Sequence, residues 1–124
     1  MTSQAWRRAG AALLAVALSA CDGSAADTRP DAIPVVAASE LPGEARTTIA
    51  LIRKGGPFPY PRDGIEFRNF EKRLPDMSRG YYREYTVRTP GAKDRGARRV
   101  VAGQGGELYY TDDHYDSFRR IKEP

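Results

Sequence analysis

The sequence is short of the side chains that most often carry enzyme chemistry. Its 124 residues include one histidine, one cysteine and one tryptophan. A single imidazole excludes an acid–base pair made of two histidines. With only one thiol beside it, a metal site built from several imidazoles or thiolates is excluded as well. Without a second cysteine the chain forms no internal disulfide, so a folded domain must be held together by its core.

Nucleotide-binding and nucleophile motifs are also missing. The chain has no GxxxxGK[ST] loop, no GxGxxG turn and no serine in a GxSxG context. The glycine-rich stretch "GQGG" is better explained as a hairpin turn. What remains for catalysis is a set of carboxylates, the imidazole of His114 and several guanidiniums. This set is suited to moving protons around a phosphate group.

The N-terminal segment has the layout of an export signal. The basic stretch "MTSQAWRRAG" precedes the apolar run "AALLAVALSA", which is too short to span a bilayer. We therefore expect residues 1–20 to be a cleaved signal peptide. Cys21 closes "LSAC", which resembles the lipobox of bacterial lipoproteins, so we expect a lipid at Cys21 that anchors the chain to a bacterial membrane. The alternative is an unmodified cysteine in a secreted or periplasmic protein.

Composition divides the rest of the chain into a tether and one domain. Residues 21–34 carry two prolines and a glycine but no aromatic residue, which is typical of a flexible tether. Residues 35–124 suffice for a single modest core. Removing Arg7 and Arg8 with the signal leaves 18 basic residues against 16 acids, so the formal charge falls from +4 to +2. Because this charge is small, phosphate binding must come from a local cluster.

Hydrophobic periodicity predicts an α+β fold. The segment "SELPGEARTTIALIRKGG" is predicted to be a helix that stops at Gly55, because its apolar residues fall on one face: Leu41, Ala45, Ile49 and Ile52. A short strand is predicted before it at "VVAAS". Short runs rich in aromatic and β-branched residues follow it, separated by the turn-forming "TPGAKDRG" and "GQGG". We therefore predict one N-terminal helix packed on a small antiparallel β-sheet.

Strand alternation places a carboxylate and a guanidinium where they can meet. In "YYREYTVR", Glu84 shares a strand face with Tyr82 and Thr86, and in "ARRVV" Arg99 shares one with Val101. If these strands pair in the right register, Glu84 and Arg99 face each other. Taken alone, the pair has a simple explanation as a cross-strand ion pair.

Four segments resemble, in the same order, the small extracellular guanyl-specific ribonucleases of bacteria, the barnase-like family. The segments cover nearly all of the chain from Val35 to Ile121: "LPGEARTTIALI", "GPFPYPRDGIEFRNFEKRLP", "GYYREYTVRTPGAKDRGARRVV" and "YYTDDHYDSF". The resemblance implies the microbial ribonuclease fold. It also implies a guanyl-specific endoribonuclease that cleaves single-stranded RNA without a metal or other cofactor.

The resemblance assigns catalytic roles to four residues. Glu84 in "REYTV" matches the general base that takes the proton of the ribose 2′-hydroxyl, whose oxygen then attacks phosphorus to form a 2′,3′-cyclic phosphate. His114 in "DHY" matches the general acid that protonates the leaving 5′-oxygen, and hydrolysis of the cyclic product reverses the two roles. Arg95 and Arg99 match guanidiniums that offset charge on the phosphoryl oxygens. These residue types suit the roles, because imidazole changes charge near neutral pH and guanidinium fits phosphate oxygens.

The resemblance assigns guanine selection to "FRNFE". The carboxylate that matches Glu71 accepts hydrogen bonds from guanine N1–H and the exocyclic amine at C2, neither of which adenine presents. Backbone groups that match Arg68 and Asn69 read O6 and N7. Phe67 and Tyr115 match aromatic groups beside the base, where stacking contributes roughly 1–3 kcal/mol. The alternatives are a solvated loop acid at Glu71 and core or rim packing at the two aromatic residues.

The sequence departs from the family at two positions. Phe70 stands where relatives often carry an arginine at the pocket rim, and Ala37 stands where some relatives place one half of a disulfide. We further expect a monomer, and the resemblance makes a small acidic inhibitor of the barstar type a candidate partner. Two other functions remain open from the sequence. One is a lipoprotein that binds an anionic ligand without cutting it, and the other is a toxin that cleaves DNA.

Overall fold

The computed structural model describes residues 32–124. The predicted signal peptide, Cys21 and nearly all of the predicted tether lie outside the described residues. Within 32–124, no helix has the length and apolar character needed to cross a membrane. The elements in chain order are β1 (Val35–Ala37), a 3₁₀ helix (Ala38–Glu40), α1 (Gly43–Lys54), β2 (Ile65–Phe67), β3 (Tyr82–Thr86), β4 (Arg99–Gly103), β5 (Leu108–Thr111) and β6 (Arg119–Lys122).

Helix α1 has clear start and stop signals in the sequence. Pro42 precedes it as the N-cap in an extended conformation, and Glu44 lies in its first turn, where a negative charge complements the helix dipole. Gly55 ends it with a φ of 91°, and its N–H donates to carbonyls one turn back. Leu41 was predicted to lie on the helix but precedes it. Its side chain is nevertheless buried in the core.

The six strands form one sheet in the order β1-β6-β5-β4-β3-β2. Strands β2 to β6 pair antiparallel with their neighbours along the chain, as predicted, and "GQGG" forms the turn between β4 and β5. Strand β1 instead pairs parallel with β6, so the sheet is mixed. The direction of β1 could not be predicted, because no hairpin turn constrains two strands from opposite ends of the domain.

The sheet buries side chains on both of its faces. Helix α1 packs over one face, on a core that includes Val100, Tyr110 and Ile121. Loop residues cover the other face, with a second core made of Leu74, Tyr82, Val101, Tyr109 and Phe118. The alternation predicted for β3 is confirmed, since Glu84 is buried and Arg83 beside it is exposed. Glu84 therefore lies on the sheet face turned away from α1.

Candidate active site

Glu84 lies in the middle of β3, between β2 and β4, and is only 8% exposed. A buried carboxylate is costly unless it is hydrogen-bonded or paired with a cation. The hydroxyl of Tyr115 meets the first need by donating to Glu84 Oε1 over 2.8 Å. The sequence predicted the position of Glu84 from strand alternation, but it did not predict this partner.

Two guanidiniums meet the second need. Arg99 Nε lies 3.9 Å and Arg95 Nη1 lies 4.0 Å from Glu84 Oε1. In the register of β3 and β4, Arg99 is opposite Thr86 and Glu84 is opposite Val101, so the predicted pair is diagonal across the strands. Arg95 comes from the loop after β3 and donates to Thr86 Oγ1 over 2.9 Å. Arg99 is only 2% exposed, so its charge is buried beside Glu84.

Tyr115 connects the carboxylate with the buried arginine. Its hydroxyl accepts a hydrogen bond from Arg99 Nε over 3.1 Å while it donates to Glu84. Burial, followed by the hydrogen bond to Glu84, raises the pKa of Tyr115 to about 12. The hydroxyl therefore remains a donor at neutral and moderately alkaline pH. The family resemblance predicted Tyr115 beside the bound nucleobase, but nothing in the sequence indicated its hydrogen bonds with Glu84 and Arg99.

His114 and Tyr115 have an unusual backbone conformation. Their φ angles are 57° and 73°, in the left-handed region that non-glycine residues occupy at a cost of about 1–3 kcal/mol each. Hydrogen bonds offset this cost, since the N–H of His114 donates to the carbonyl of Ala97 over 3.0 Å and that of Tyr115 donates to Thr111 Oγ1 over 3.1 Å. The turn directs the His114 side chain into an exposed position.

Asp113 closes the same turn, which we call the His114 loop (residues 112–118). Its Oδ1 accepts hydrogen bonds from Thr111 Oγ1 over 2.8 Å and from the N–H of Ser117 over 2.9 Å. Burial alone would raise the pKa of Asp113, but the hydrogen bonds, led by those of Ser117, lower it to about 2. The carboxylate thus stays charged and holds the loop throughout the neutral range.

A cleft of about 530 Å³ brings the predicted residues together. Glu84 and His114 both line it, as do all five residues predicted to bind the base: Phe67, Arg68, Asn69, Glu71 and Tyr115. Arg95 and Arg99 lie beside it through their contacts with Glu84. Among the described residues, no group of three or more histidine, cysteine, aspartate or glutamate side chains is placed to hold a metal ion.

Asn69 shapes the far end of the cleft. It has a φ of 56°, and its side chain donates to the carbonyl of Leu74 over 2.9 Å while accepting from the N–H of Leu74 over 3.1 Å. These bonds close the Asn69 loop (residues 68–74) on itself. These bonds use both polar atoms of the Asn69 side chain, so any hydrogen bond of this residue to a ligand is expected from its backbone. The carboxylate of Glu71, on the same loop, is exposed.

Aromatic rings form one wall of the cleft. Phe67 and Tyr115 are stacked with their centroids 5.2 Å apart, and Phe118 meets Phe67 edge-on at 5.8 Å. No space for another ring exists between the stacked pair, so a bound base would contact an outer face. Phe70 is 79% exposed at the rim, and the guanidinium of Arg68 lies 5.7 Å from its ring centroid.

The fold and the charged cleft together define the class of this protein: a small α+β enzyme whose cleft suits an anionic substrate. Comparison with protein-family models identifies the family within this class. The family model described as ribonuclease matches residues 24–122. The chain belongs to the ribonuclease family, which confirms the family predicted from its sequence.

Three relatives show how close the similarity is. Guanyl-specific ribonuclease St of Saccharopolyspora erythraea is 62% identical over 81 residues, which cover 65% of this chain and 80% of the relative. Guanyl-specific ribonuclease Sa3 of Kitasatospora aureofaciens is 56% identical over 91 residues, or 73% of this chain and 64% of the relative. Guanyl-specific ribonuclease Sa of the same organism is 51% identical over 94 residues, or 75% of this chain and 98% of the relative.

Solved structures confirm the predicted fold. Ribonuclease Sa2 in complex with mononucleotides superposes with a TM-score of 0.73 at 53% identity, covering 73% of this chain and 95% of that chain. Ribonuclease Sa2 with guanosine-2′-cyclophosphate superposes with a TM-score of 0.72 at 52% identity, covering 74% of this chain and 98% of that chain.

Proposed function

We propose that this ribonuclease is a guanyl-preferring endoribonuclease that cleaves single-stranded RNA by transphosphorylation. The observation that carries the proposal is the common cleft of Glu84 and His114, because a proton acceptor and a proton donor must reach one phosphodiester from two sides. The relatives named guanyl-specific ribonucleases support the base preference.

The first step transfers one proton at each end of the reaction. The Glu84 carboxylate takes the proton of the ribose 2′-hydroxyl, and the 2′-oxygen forms a bond to phosphorus. The bond from phosphorus to the 5′-oxygen breaks, and His114 in its protonated form gives its proton to that oxygen. The products are a 2′,3′-cyclic phosphate and a free 5′-hydroxyl. In the second step the now neutral His114 takes a proton from water, and the water oxygen forms a bond to phosphorus. The bond from phosphorus to the 2′-oxygen breaks, and Glu84 returns its proton to that oxygen, which leaves a 3′-phosphate.

Fixed positive charge favours this chemistry. Arg95 and Arg99 lie within 4.0 Å of Glu84 and so beside the position of the attacking oxygen. Guanidiniums placed in advance offset the charge that develops on the phosphoryl oxygens. Tyr115 is hydrogen-bonded to both Glu84 and Arg99, so it holds the general base and this positive charge in fixed positions relative to each other.

Guanine preference is proposed to come from the Asn69 loop. Glu71 accepts from N1–H and the exocyclic amine of guanine, backbone groups of Arg68 and Asn69 contact O6 and N7, and Phe67 offers its outer face for stacking. Adenine has no N1–H and no amine at C2, so it leaves the carboxylate unpaired. The solved complexes of ribonuclease Sa2 with guanosine-2′-cyclophosphate and with 3′-GMP support a guanine site in a close structural neighbour.

Product analysis tests the proposed activity. The purified chain is incubated in EDTA with a guanylyl dinucleotide, its adenylyl counterpart and a 2′-deoxy guanylyl dinucleotide. We expect a 2′,3′-cyclic phosphate from the guanylyl substrate first, slower cleavage of the adenylyl substrate and no cleavage of the deoxy substrate. Binding without a cyclic product would favour the non-cutting lipoprotein, and cleavage of the deoxy substrate would favour the DNA-cutting toxin.

Glu71→Ala tests the base preference. Because the proposed hydrogen bonds to guanine are lost, we expect the kcat/KM ratio of guanylyl to adenylyl dinucleotides to fall by about ten- to hundredfold, as for loss of hydrogen bonds to a charged group. The decrease should come from the guanylyl substrate alone. Unchanged discrimination would place base selection elsewhere in the cleft.

The proposal includes export and a membrane anchor. Residues 1–20 are proposed to be the signal peptide, 21–34 the tether and 35–124 the ribonuclease domain, with a lipid at Cys21. This division is supported by the N-terminal sequence, in which a basic stretch, an apolar run and "LSAC" follow one another. Detergent phase partitioning of the cell envelope tests it, with Cys21→Ser as the control. We expect the wild type in the detergent phase and the variant in the aqueous phase. An aqueous wild type contradicts the anchor.

We further propose that the domain acts as a monomer and is open to inhibition by a small acidic protein of the barstar type. An acidic partner is supported by the charge balance, because opposite charges speed association and set orientation. Five guanidiniums lie at or beside the cleft against three glutamates in its lining: Arg62, Arg68, Arg73, Arg95 and Arg99 against Glu66, Glu71 and Glu84. Sedimentation analysis tests whether the domain is monomeric. RNA cleavage measured with and without added barstar tests whether the domain is open to this kind of inhibition.

A further inference from the structure

Three charged side chains connect the two loops at one end of the cleft. Arg73 Nε donates to Glu71 Oε1 over 3.3 Å, and Arg73 Nη2 lies 3.8 Å from Asp116 Oδ1. Glu71 and Arg73 stand on the Asn69 loop, whereas Asp116 stands on the His114 loop. We call these three residues the ion-pair bridge. It joins the loop proposed to read the base to the loop that carries the proposed general acid.

Both ends of the ion-pair bridge stand on fixed backbone. On one side, the hydrogen bonds between Asn69 and Leu74 close the loop around its first two members. On the other side, Asp113 accepts from the N–H of Ser117, which closes the turn that contains the third member. The bridge therefore connects two ordered segments.

The contact with Arg73 is placed to orient the Glu71 carboxylate. The side chain of Glu71 is 68% exposed, so without a partner it would sample several rotamers. Reading guanine requires both carboxylate oxygens in one orientation, and ordering them on binding would reduce affinity. Since each carboxylate oxygen accepts more than one hydrogen bond, a contact with Arg73 still leaves the Glu71 carboxylate able to accept from the base.

We propose that Arg73 is a positioning residue for guanine recognition. It orients Glu71 and, through its second contact, ties the base-reading loop to the loop of the general acid. This inference rests on the proposed function, in which Glu71 is the carboxylate that reads guanine. Arg73 acts through Glu71 and need not touch the RNA.

Arg73→Gln and Lys72→Gln form a matched pair that tests the inference. Each removes one positive charge from the Asn69 loop, but Lys72 pairs with Asp76 at 3.5 Å and not with the base-reading carboxylate. The kcat/KM of the purified chain is measured with guanylyl and adenylyl dinucleotides. For Arg73→Gln we expect a loss of about two- to fivefold with the guanylyl substrate only, the range of an exposed ion pair. Lys72→Gln should leave the ratio unchanged.

A double-mutant cycle separates positioning from bulk charge. In a Glu71→Gln background, Arg73→Gln should have no further effect on the ratio of guanylyl to adenylyl kcat/KM, because its partner is gone. Asp116→Asn should lower the same ratio by less than Arg73→Gln, since it releases only one end of the bridge. The side chains changed in these variants are exposed: Glu71, Lys72, Arg73 and Asp116. Thermal unfolding should therefore change little and serves as the folding control.

The outcomes distinguish the inference from the proposed function. An equal loss on both dinucleotides in Arg73→Gln would mean that Arg73 attracts RNA through charge alone, and an unchanged ratio would mean that it does not position Glu71. Either result overturns the inference and leaves the ribonuclease activity standing. A wild-type chain that shows no guanine preference overturns the proposed base reading, and the inference fails with it.

Discussion

At the scale of single residues, the central feature is a buried carboxylate with three close partners. Glu84 Oε1 accepts a hydrogen bond from Tyr115 and lies within 4.0 Å of Arg95 and Arg99. Glutamine in its place keeps an oxygen that accepts from Tyr115 but removes the charge and the ability to take up a proton. The Glu84→Gln variant therefore separates the proposed chemistry from the packing.

The proposed acid and base are tested together. We expect Glu84→Gln and His114→Ala each to lower kcat on a guanylyl dinucleotide by about 10²- to 10⁴-fold. The double variant should lose much less than the product of the two factors, because the two groups act in one proton-transfer step. Urea unfolding should show His114→Ala to be as stable as the wild type, since this side chain is exposed. Near-normal turnover in either single variant contradicts its role.

Tyr115→Phe should affect both stability and turnover. Loss of the hydroxyl leaves the buried Glu84 without its hydrogen bond, so we expect the free energy of unfolding to fall by about 1.5–3 kcal/mol. Tyr81→Phe is the matched control. The Tyr81 hydroxyl donates a hydrogen bond of 2.7 Å to Glu107, and this pair lies outside the cleft. The control variant should reduce stability without changing kcat. If both variants changed kcat equally, the result would contradict a role of the Tyr115 hydroxyl in turnover.

Strand periodicity placed the strand-borne part of the site, whereas the loop-borne residues were predicted only through the family resemblance. Glu84 and Arg99 were placed by the two-residue alternation of strands, which needs no knowledge of the loops. The contact of Tyr115 with Glu84 depends on left-handed backbone at two residues that are not glycine, and no sequence motif marks it. Arg73 and Asp113 were missed for a related reason, since their partners stand on loops whose paths only the fold determines.

At the scale of elements, the loop between β3 and β4 carries Arg95 to Glu84. Gly96 in this loop has a φ of 71°, and a Cβ at this position would lie 2.8 Å from the Cβ of Thr89. Gly91 in the same loop has a φ of 80° but open space around the same position. The two glycines thus have similar left-handed φ angles but differ in the space that surrounds an added Cβ.

This difference predicts distinct effects of alanine. Gly91→Ala should lower the free energy of unfolding by about 1–2 kcal/mol, the cost of the left-handed conformation. Gly96→Ala should cost more and should also reduce kcat, because relieving the clash with Thr89 moves the neighbouring Arg95. Urea unfolding and dinucleotide kinetics check both expectations. A Gly96→Ala variant that matches Gly91→Ala in stability and in kcat contradicts this account of the loop.

At the scale of the whole molecule, composition and periodicity were enough for the α+β class, the single helix and the antiparallel part of the sheet. They did not predict that β1 joins the sheet in parallel, because that pairing links the two ends of the domain. Another long-range link is the ion pair of Arg53 at the end of α1 with Glu123 after β6. The hydrogen bond from Arg53 lowers the pKa of Glu123.

Stability is expected to fall in acid. The pKa of Asp113 is lowered from its ordinary value of 3.8 to about 2, and that of Glu123 is lowered as well. Such groups stabilise the fold above their unfolded-state pKa, and this stabilisation is lost as pH falls through the folded-state pKa. For Asp113 the window is about pH 4 to 2.

Asp113→Asn should therefore be less stable than the wild type at pH 6, and the gap should narrow towards pH 2. Urea midpoints across this range provide the measurement, with Asp112→Asn as a neighbouring control. Parallel curves for wild type and Asp113→Asn would contradict the assignment.

The position of the cleft on the sheet face away from α1 has a practical consequence. The outward side of that helix, including Arg46 and Ala50, is exposed and separated from the cleft by the full thickness of the sheet. Dyes, fusion partners or attachment to a solid support can be introduced there without obstructing RNA. The molecule thus offers one surface for handling and another for its chemistry.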